Sequence, residues 1–212
     1  DFRDFLMPPT FNPSAYDYAH RGLWSEGIPE NSFEAFRRAV AEGFGIECDV
    51  HLSRDGVPMV FHDFTLDRLT GHSGQISDMN ANDLQTLKLA GSEETIPRLS
   101  DLLDVMEHQP LLVEIKCNEH TDRTALVSAV CGALAFHAGP VAIMSFDRET
   151  LRRARACSDE LILGVLTPPM YYEHDGASED LIAFSKQIKP TYLAPNVADM
   201  PFAAPIANAL NI

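Results

Sequence analysis

Ile46-Glu47-Cys48-Asp49-Val50-His51-Leu52 decides how the chain is read. The residues alternate, which is the period of a β-strand. Glu47, Asp49 and His51 fall on one face, and Ile46, Cys48, Val50 and Leu52 on the other. The second face suits packing beneath helices. Two carboxylates on a strand covered on both sides are costly without a cation, whereas on a barrel's inner face, near the C-terminal rim, they are placed to hold a metal. The plainer alternative is an amphipathic strand with a wet acidic face. Leu111-Leu112-Val113-Glu114-Ile115-Lys116 repeats the pattern. There Glu114 is a candidate third carboxylate, and Lys116 a partner either for an anionic oxygen or for Glu114 itself. Three carboxylates with no adjacent cysteine or His-x-His pair suit a hard cation, Mg²⁺ or Ca²⁺.

Outward from these strands, apolar runs alternate with helical stretches. Strands are expected at 16–20, 46–52, 57–62, 111–116, 141–144, 161–166 and 191–194, within an expected total of eight. Helices are expected at about 31–42, 81–88, 99–108, 122–138, 147–156, 178–187 and 203–210. Asn31 or Ser32 can cap the first helix. Residues 63–95 are polar and punctuated by glycine, which reads as an excursion from the core. Repeated β-then-α units give an α/β fold with a parallel sheet under helices. A closed (β/α)₈ barrel and an open doubly wound sheet both fit. No GxGxxG or GxxxxGK[ST] loop follows the first strand, and His20-Arg21-Gly22 stands there instead.

His20 and His62 each end an expected strand. Histidine changes protonation near neutral pH, so such a pair suits general acid and base work, although a lone strand-end histidine is more often structural. Arg21 offers a planar fork that matches two phosphate oxygens. His72, His108, His120, His137 and His174 read as surface residues.

Composition bounds the rest. The 212 residues carry a formal charge of −15, with 45% apolar and 22% charged residues. That is globular composition, expected to make a single domain over residues 1–212. The charge disfavours nucleic acid or an anionic bilayer as a broad partner, but a bound cation allows a small anionic substrate. No run of about 18 apolar residues predicts a membrane span. The four cysteines lack zinc spacing and are expected to be reduced core residues. With no signal-like segment after Asp1, a cytoplasmic location is expected.

The ordered set His20-Arg21-Gly22, Pro29-Glu30-Asn31-Ser32, Glu47-Cys48-Asp49-Val50, Asp55-Gly56, His62-Asp63, Leu66-Asp67-Arg68-Leu69-Thr70-Gly71, Ile96-Pro97-Arg98-Leu99 and Glu114-Ile115-Lys116 resembles the glycerophosphodiester phosphodiesterases. The likeness is dense over 20–116 and thinner from Ser145-Phe146-Asp147 onward. It implies a TIM-type barrel, with 63–95 as the family's small insertion on the glycerol side. It implies that Glu47, Asp49 and Glu114 bind one divalent metal, Mg²⁺ or Ca²⁺. His20 and His62 would be the acid/base pair, with Arg21 and Lys116 on phosphate. Glu30 and Asn31 lie in a motif bordering the site, so Asn31 is either cap or ligand. The implied reaction releases sn-glycerol 3-phosphate and an alcohol from a small-molecule diester. A lysophospholipase D-like or sphingomyelinase D-like activity and a non-catalytic diester-binding module are the alternatives. Relatives carry a further strand and helix beyond the point matching Ile212, so a C-terminally truncated chain lacking its closing unit is expected.

Overall fold

The computed structural model describes residues 11–106, 108–137 and 139–212. The chain start, on which the absence of a signal-like segment was read, lies outside the described residues. So do Glu107 and Ala138, near the ends of two expected helices.

Seven strands are present among the described residues, one fewer than the eight expected: β1 (Tyr18–His20), β2 (Gly45–Leu52), β3 (Pro58–Val60), β4 (Leu111–Ile115), β5 (Val141–Ser145), β6 (Ile162–Leu166) and β7 (Tyr192–Ala194). Six run parallel in the order β1-β2-β4-β5-β6-β7. β3 departs from this: it pairs antiparallel with the end of β2, through Val50↔Val60 and Leu52↔Pro58. The Asp55-Gly56 turn is too short for a parallel crossover, so it folds the chain back beside β2. This hairpin explains why two early strands stand so close in sequence. β1 and β7 are not paired with each other among the described strands, so the parallel sheet forms an open part-barrel.

Eight helices are present among the described residues: α1 (Phe33–Ala41), α2 (Asp67–Thr70), α3 (Ala81–Leu84), α4 (Leu99–Met106), α5 (Arg123–Leu134), α6 (Arg148–Cys157), α7 (Ala177–Ile188) and α8 (Met200–Leu210). Ser32 caps α1 by accepting from Ala35 N, while Asp122 and Asp147 cap α5 and α6 in the same way. The helix expected over 81–88 shrinks to the single turn of α3. The outer sheet face (Ile46, Cys48, Val50, Val113, Ile115, Ile143, Leu163) packs with Phe36, Leu102, Val130 and Ala154 of the helices in the main core. Residues 63–95 are more than a polar excursion. Leu66, Leu69, Ile76, Ala81, Leu84 and Leu89 join Met59, Phe61 and Ile96 in a second apolar cluster. That small core holds the segment against the β2–β3 end of the sheet.

Inside the part-barrel, large rings lie over glycines. A Cβ added at Gly164 would collide with the Tyr192 ring, and one at Gly45 would sit 2.7 Å from Tyr18. Tyr192 and Tyr18 thus fill the interior beneath the polar strand ends.

Two expectations about minor residues change. His137 is buried rather than at the surface, and burial lowers its pKa. Of the four free cysteines only Cys48 is fully buried; Cys117 and Cys131 are half-buried and Cys157 is exposed.

Candidate metal centre and its flanking histidines

Parallel register brings the acids together. Asp49 pairs with Glu114 across β2 and β4, and His20 pairs with Glu47 across β1 and β2. Glu47, Asp49 and Glu114 are all buried, and each offers an oxygen within 4.8 Å of the other two. Their side chains converge on the inner face at the C-terminal strand ends, where barrel chemistry is usually sited. The wet acidic face weighed from the sequence is therefore absent, because this face is enclosed.

Burial and mutual repulsion push the Glu47 carboxyl well above its ordinary value, with Asp49 and Glu114 as the repelling neighbours. Glu114 is raised by burial too, although Lys116 opposes the shift. Lys116 Nζ donates to Glu114 Oε1 at 2.8 Å and lies 3.4 Å from Asp49 Oδ1. Burial lowers the Lys116 pKa, but Glu114 and Asp49 more than offset it, so the ammonium stays charged.

Arg21 approaches from the turn after β1. Its Nη1 donates to Glu30 Oε1 at 2.8 Å, and its Nε lies 3.3 Å from Asp49 Oδ2. The Arg21 backbone is left-handed, with φ 59°, and is pinned where its N–H meets the Glu47 carbonyl at 2.9 Å. At Gly22, which follows with φ 81°, a Cβ would come within 2.9 Å of the Ala35 backbone. The His20-Arg21-Gly22 turn thus requires its glycine for both conformation and space. Asn31 is not the helix cap. Its Nδ2 donates to Asp49 Oδ2 at 3.0 Å, leaving capping to Ser32.

His20 sits above the acids, 3.7 Å from Glu47 Oε2, with its side chain 66% exposed. Its pKa is lowered by burial of part of the ring and by the adjacent Arg21 charge. His62 stands at the exit of β3, and its Nδ1 meets Asp63 Oδ1 at 2.6 Å. Arg68 donates to both Asp63 oxygens and to both Glu30 oxygens. Asp63 is held down to about 2, first by the Arg68 hydrogen bond and then by His62. His51 shares the acidic face but is built in: it is buried, its Nε2 lies 3.0 Å from the His62 carbonyl oxygen, and burial lowers its pKa to about 4.

All seven residues singled out from the sequence as site candidates therefore gather at one end of the part-barrel. Asp63 and Arg68 were quoted only within motifs and given no part. The available signal was local: a carboxylate immediately after a candidate acid/base histidine commonly orients that ring.

The acid cluster suits a cation on its own terms. Glu47 Oε1 and Asp49 Oδ1 are buried without a hydrogen-bond partner, as is the amide oxygen of Asn31. All these donors are oxygens, as Mg²⁺ and Ca²⁺ prefer. In addition, among the described residues the five carboxylates Glu30, Glu47, Asp49, Asp63 and Glu114 face three permanent cations, Arg21, Arg68 and Lys116, beside the imidazoles of His20 and His62. One divalent ion balances that formal excess.

Fold and site together define an α/β part-barrel with an acidic centre able to hold a metal, flanked by histidines and basic side chains. The chain belongs to the Glycerophosphoryl diester phosphodiesterase family, whose model matches residues 20–192. It is 38% identical over 107 residues to the glycerophosphodiester phosphodiesterase of Caldanaerobacter subterraneus subsp. tengcongensis, covering 46% of this chain and 43% of that protein. It is 27% identical over 169 residues to human glycerophosphodiester phosphodiesterase 1, covering 74% and 50%. A solved Oleispira antarctica phosphodiesterase, in complex with the product sn-glycerol-3-phosphate, superposes with a TM-score of 0.79 at 26% identity, covering 92% of this chain and 81% of that one. The chain spans about half the length of the curated relatives it matches. No helix among the described residues is long and apolar enough to cross a membrane.

Proposed function

We propose that the protein hydrolyses glycerophosphodiesters to sn-glycerol 3-phosphate and an alcohol, with one divalent cation, Mg²⁺ or Ca²⁺, held by Glu47, Asp49 and Glu114. The convergence of these three buried carboxylates beneath His20 and beside Lys116 carries the proposal. A bound divalent cation supplies Lewis acidity and positive charge at the phosphate.

The chain's own residues supply the rest. Arg21 and Lys116 bind nonbridging phosphate oxygens and stabilise the charge that develops on phosphorus. His20, whose lowered pKa leaves it neutral near pH 7, takes the proton of the glycerol 2-hydroxyl. That oxygen forms its bond to phosphorus as the bond to the alcohol breaks, and His62 protonates the departing oxygen. The resulting cyclic phosphate is opened by water with the roles exchanged. His62 then takes the water proton, and His20 returns one to the glycerol oxygen. The Asp63 contact holds the His62 proton on Nδ1, so Nε2 is the nitrogen that gives and receives.

A second reading keeps the chemistry and changes the substrate to a lysophospholipid. Exposed Phe146, Met170, Val197 and Phe202, in the segments that follow β5, β6 and β7, favour it. The deciding experiment assays glycerophosphocholine and a lysophospholipid with added Mg²⁺ or Ca²⁺, using the wild type and Glu47→Ala, Asp49→Ala and Glu114→Ala. Loss of turnover in these variants supports the metal assignment, and undiminished turnover in all three removes it. Diester binding without release of glycerol phosphate would make the protein a binding module.

A further inference from the structure

Arg68 lies in the 63–95 segment, on α2, outside the parallel sheet, between Leu66 and Leu69 of the second apolar cluster. That cluster aims its guanidinium back at the reaction centre. Nε donates to Asp63 Oδ2 at 2.6 Å, and Nη2 donates to Asp63 Oδ1 at 3.0 Å. Nη2 also donates to Glu30 Oε1 at 2.7 Å, and Nη1 to Glu30 Oε2 at 3.1 Å. Both carboxylates are thus gripped through both oxygens, a geometry that only a planar fork provides. Each carboxylate has one further partner, and both partners belong to the proposed machinery. Asp63 Oδ1 accepts from His62 Nδ1 at 2.6 Å, and Glu30 Oε1 accepts from Arg21 Nη1 at 2.8 Å.

We propose that Arg68 is a positioning residue shared by the two sides of the site: through Asp63 it sets the tautomer and direction of His62, and through Glu30 it aims the Arg21 guanidinium. The proposal rests on the roles given above to His62 and Arg21. It gives the 63–95 segment a function, since its small core places a side chain that couples the acid/base imidazole to the phosphate grip. Asp63 lies partly open to solvent, so a carboxylate freed from Arg68 gains rotamers. His62 then loses the acceptor that fixes its proton on Nδ1. A histidine that presents the wrong nitrogen for part of the time, and is misdirected for the rest, loses more rate than the tautomer fraction alone.

The test uses Arg68→Met, which removes fork and charge, and Arg68→Lys, which keeps only charge. The tautomer of His62 in its neutral form, the form left once Nε2 has given its proton, is read by ¹⁵N NMR of the imidazoles. The constants kcat and KM are measured on glycerophosphocholine, and thermal melts check folding. The wild type is expected to hold a single Nδ1–H tautomer. Arg68→Met is expected to show mixed tautomers and a kcat lower by about 10–100-fold, with KM raised through Arg21. Arg68→Lys is expected to recover part of kcat but not the single tautomer. A folded Arg68→Met protein with wild-type tautomer, kcat and KM would overturn the proposal. If Arg68→Met does not fold, the same wild-type values in Arg68→Lys overturn it. Should the wild type cleave no diester, the functional reading fails separately, and the tautomer alone decides the role of Arg68.

Discussion

The two halves of the sheet end differently. β1, β2 and β4 bring His20, Glu47, Asp49, Glu114 and Lys116 together, densely paired and, except for the exposed His20, enclosed. The ends of β5, β6 and β7 lead into apolar rims, where Tyr172 stacks on Phe202 at 6.1 Å and Met170 is exposed. The charged pairs on that side tie neighbouring helices together: Arg123 of α5 meets Asp147, the cap of α6, and Arg148 of α6 meets Asp180 of α7. On the proposed function, one scaffold thus separates a polar end for the charged head and cation from an apolar end for the remainder of the substrate. The polar half stores unfavourable electrostatics at Glu47 and Glu114.

The sharpest way to break this contrast is to disable one histidine of the polar half. His62→Ala is expected to lower kcat by about 10²–10⁴-fold, the usual contribution of a positioned acid or base. Steady-state hydrolysis of glycerophosphocholine measures it, and a fully active variant would remove His62 from the mechanism.

A second prediction concerns the stored electrostatics. Glu47 and Glu114 have raised pKa values in the folded protein, so it binds their protons more tightly than the unfolded chain does. Their stabilising share is present below the ordinary value of 4.5 and is lost as pH rises through the raised values. Asp63 behaves oppositely: its share is present above its ordinary 3.8 and is lost only as pH falls towards about 2. The lowered imidazoles of His20, His51 and His137 act in the opposite sense as pH falls through 6.5, so the carboxylate share is read as a difference between two metal-free proteins. From about pH 5.5 to about pH 8 the wild type should lose a few degrees more Tm than Glu47→Gln, each kcal/mol being worth about 2–4 °C at this chain size. A saturating divalent cation should raise Tm more at the higher pH, where the carboxylates are free to bind it. Calorimetric scans at both pH values check this, and a cation effect independent of pH would contradict the buried acid centre.

The smallest expected effect belongs to the apolar half. Met170→Ser with Phe202→Ser should leave glycerophosphocholine turnover unchanged. A selective loss on a lysophospholipid would show that the rim takes an acyl chain.

The polar half was also the more legible in sequence. Alternation in Ile46–Leu52 and Leu111–Lys116 put each acid on the correct face, because a period of two leaves only two choices. The β2–β3 hairpin was not seen as antiparallel, since strand direction depends on pairing partners that local pattern does not name. The core within 63–95 was missed because its apolar residues, Leu66, Leu69, Ile76 and Leu84, lie scattered among polar ones and share no single period. The choice between cap and site residue for Asn31 was likewise out of reach, because Ser32 beside it suits capping equally well. Only the register that places Asp49 beside Asn31 separates the two.

The left-handed backbone at Arg21 has one more consequence. A non-glycine residue there gives up about 1 kcal/mol or more relative to glycine. Exchange for glycine would relieve that strain but strip Glu30 and Asp49 of a cation, and leaving a buried carboxylate unpaired costs about 3–5 kcal/mol. The ion pairs therefore outweigh the backbone penalty, and blind screening for thermal endurance would be expected to keep the guanidinium there.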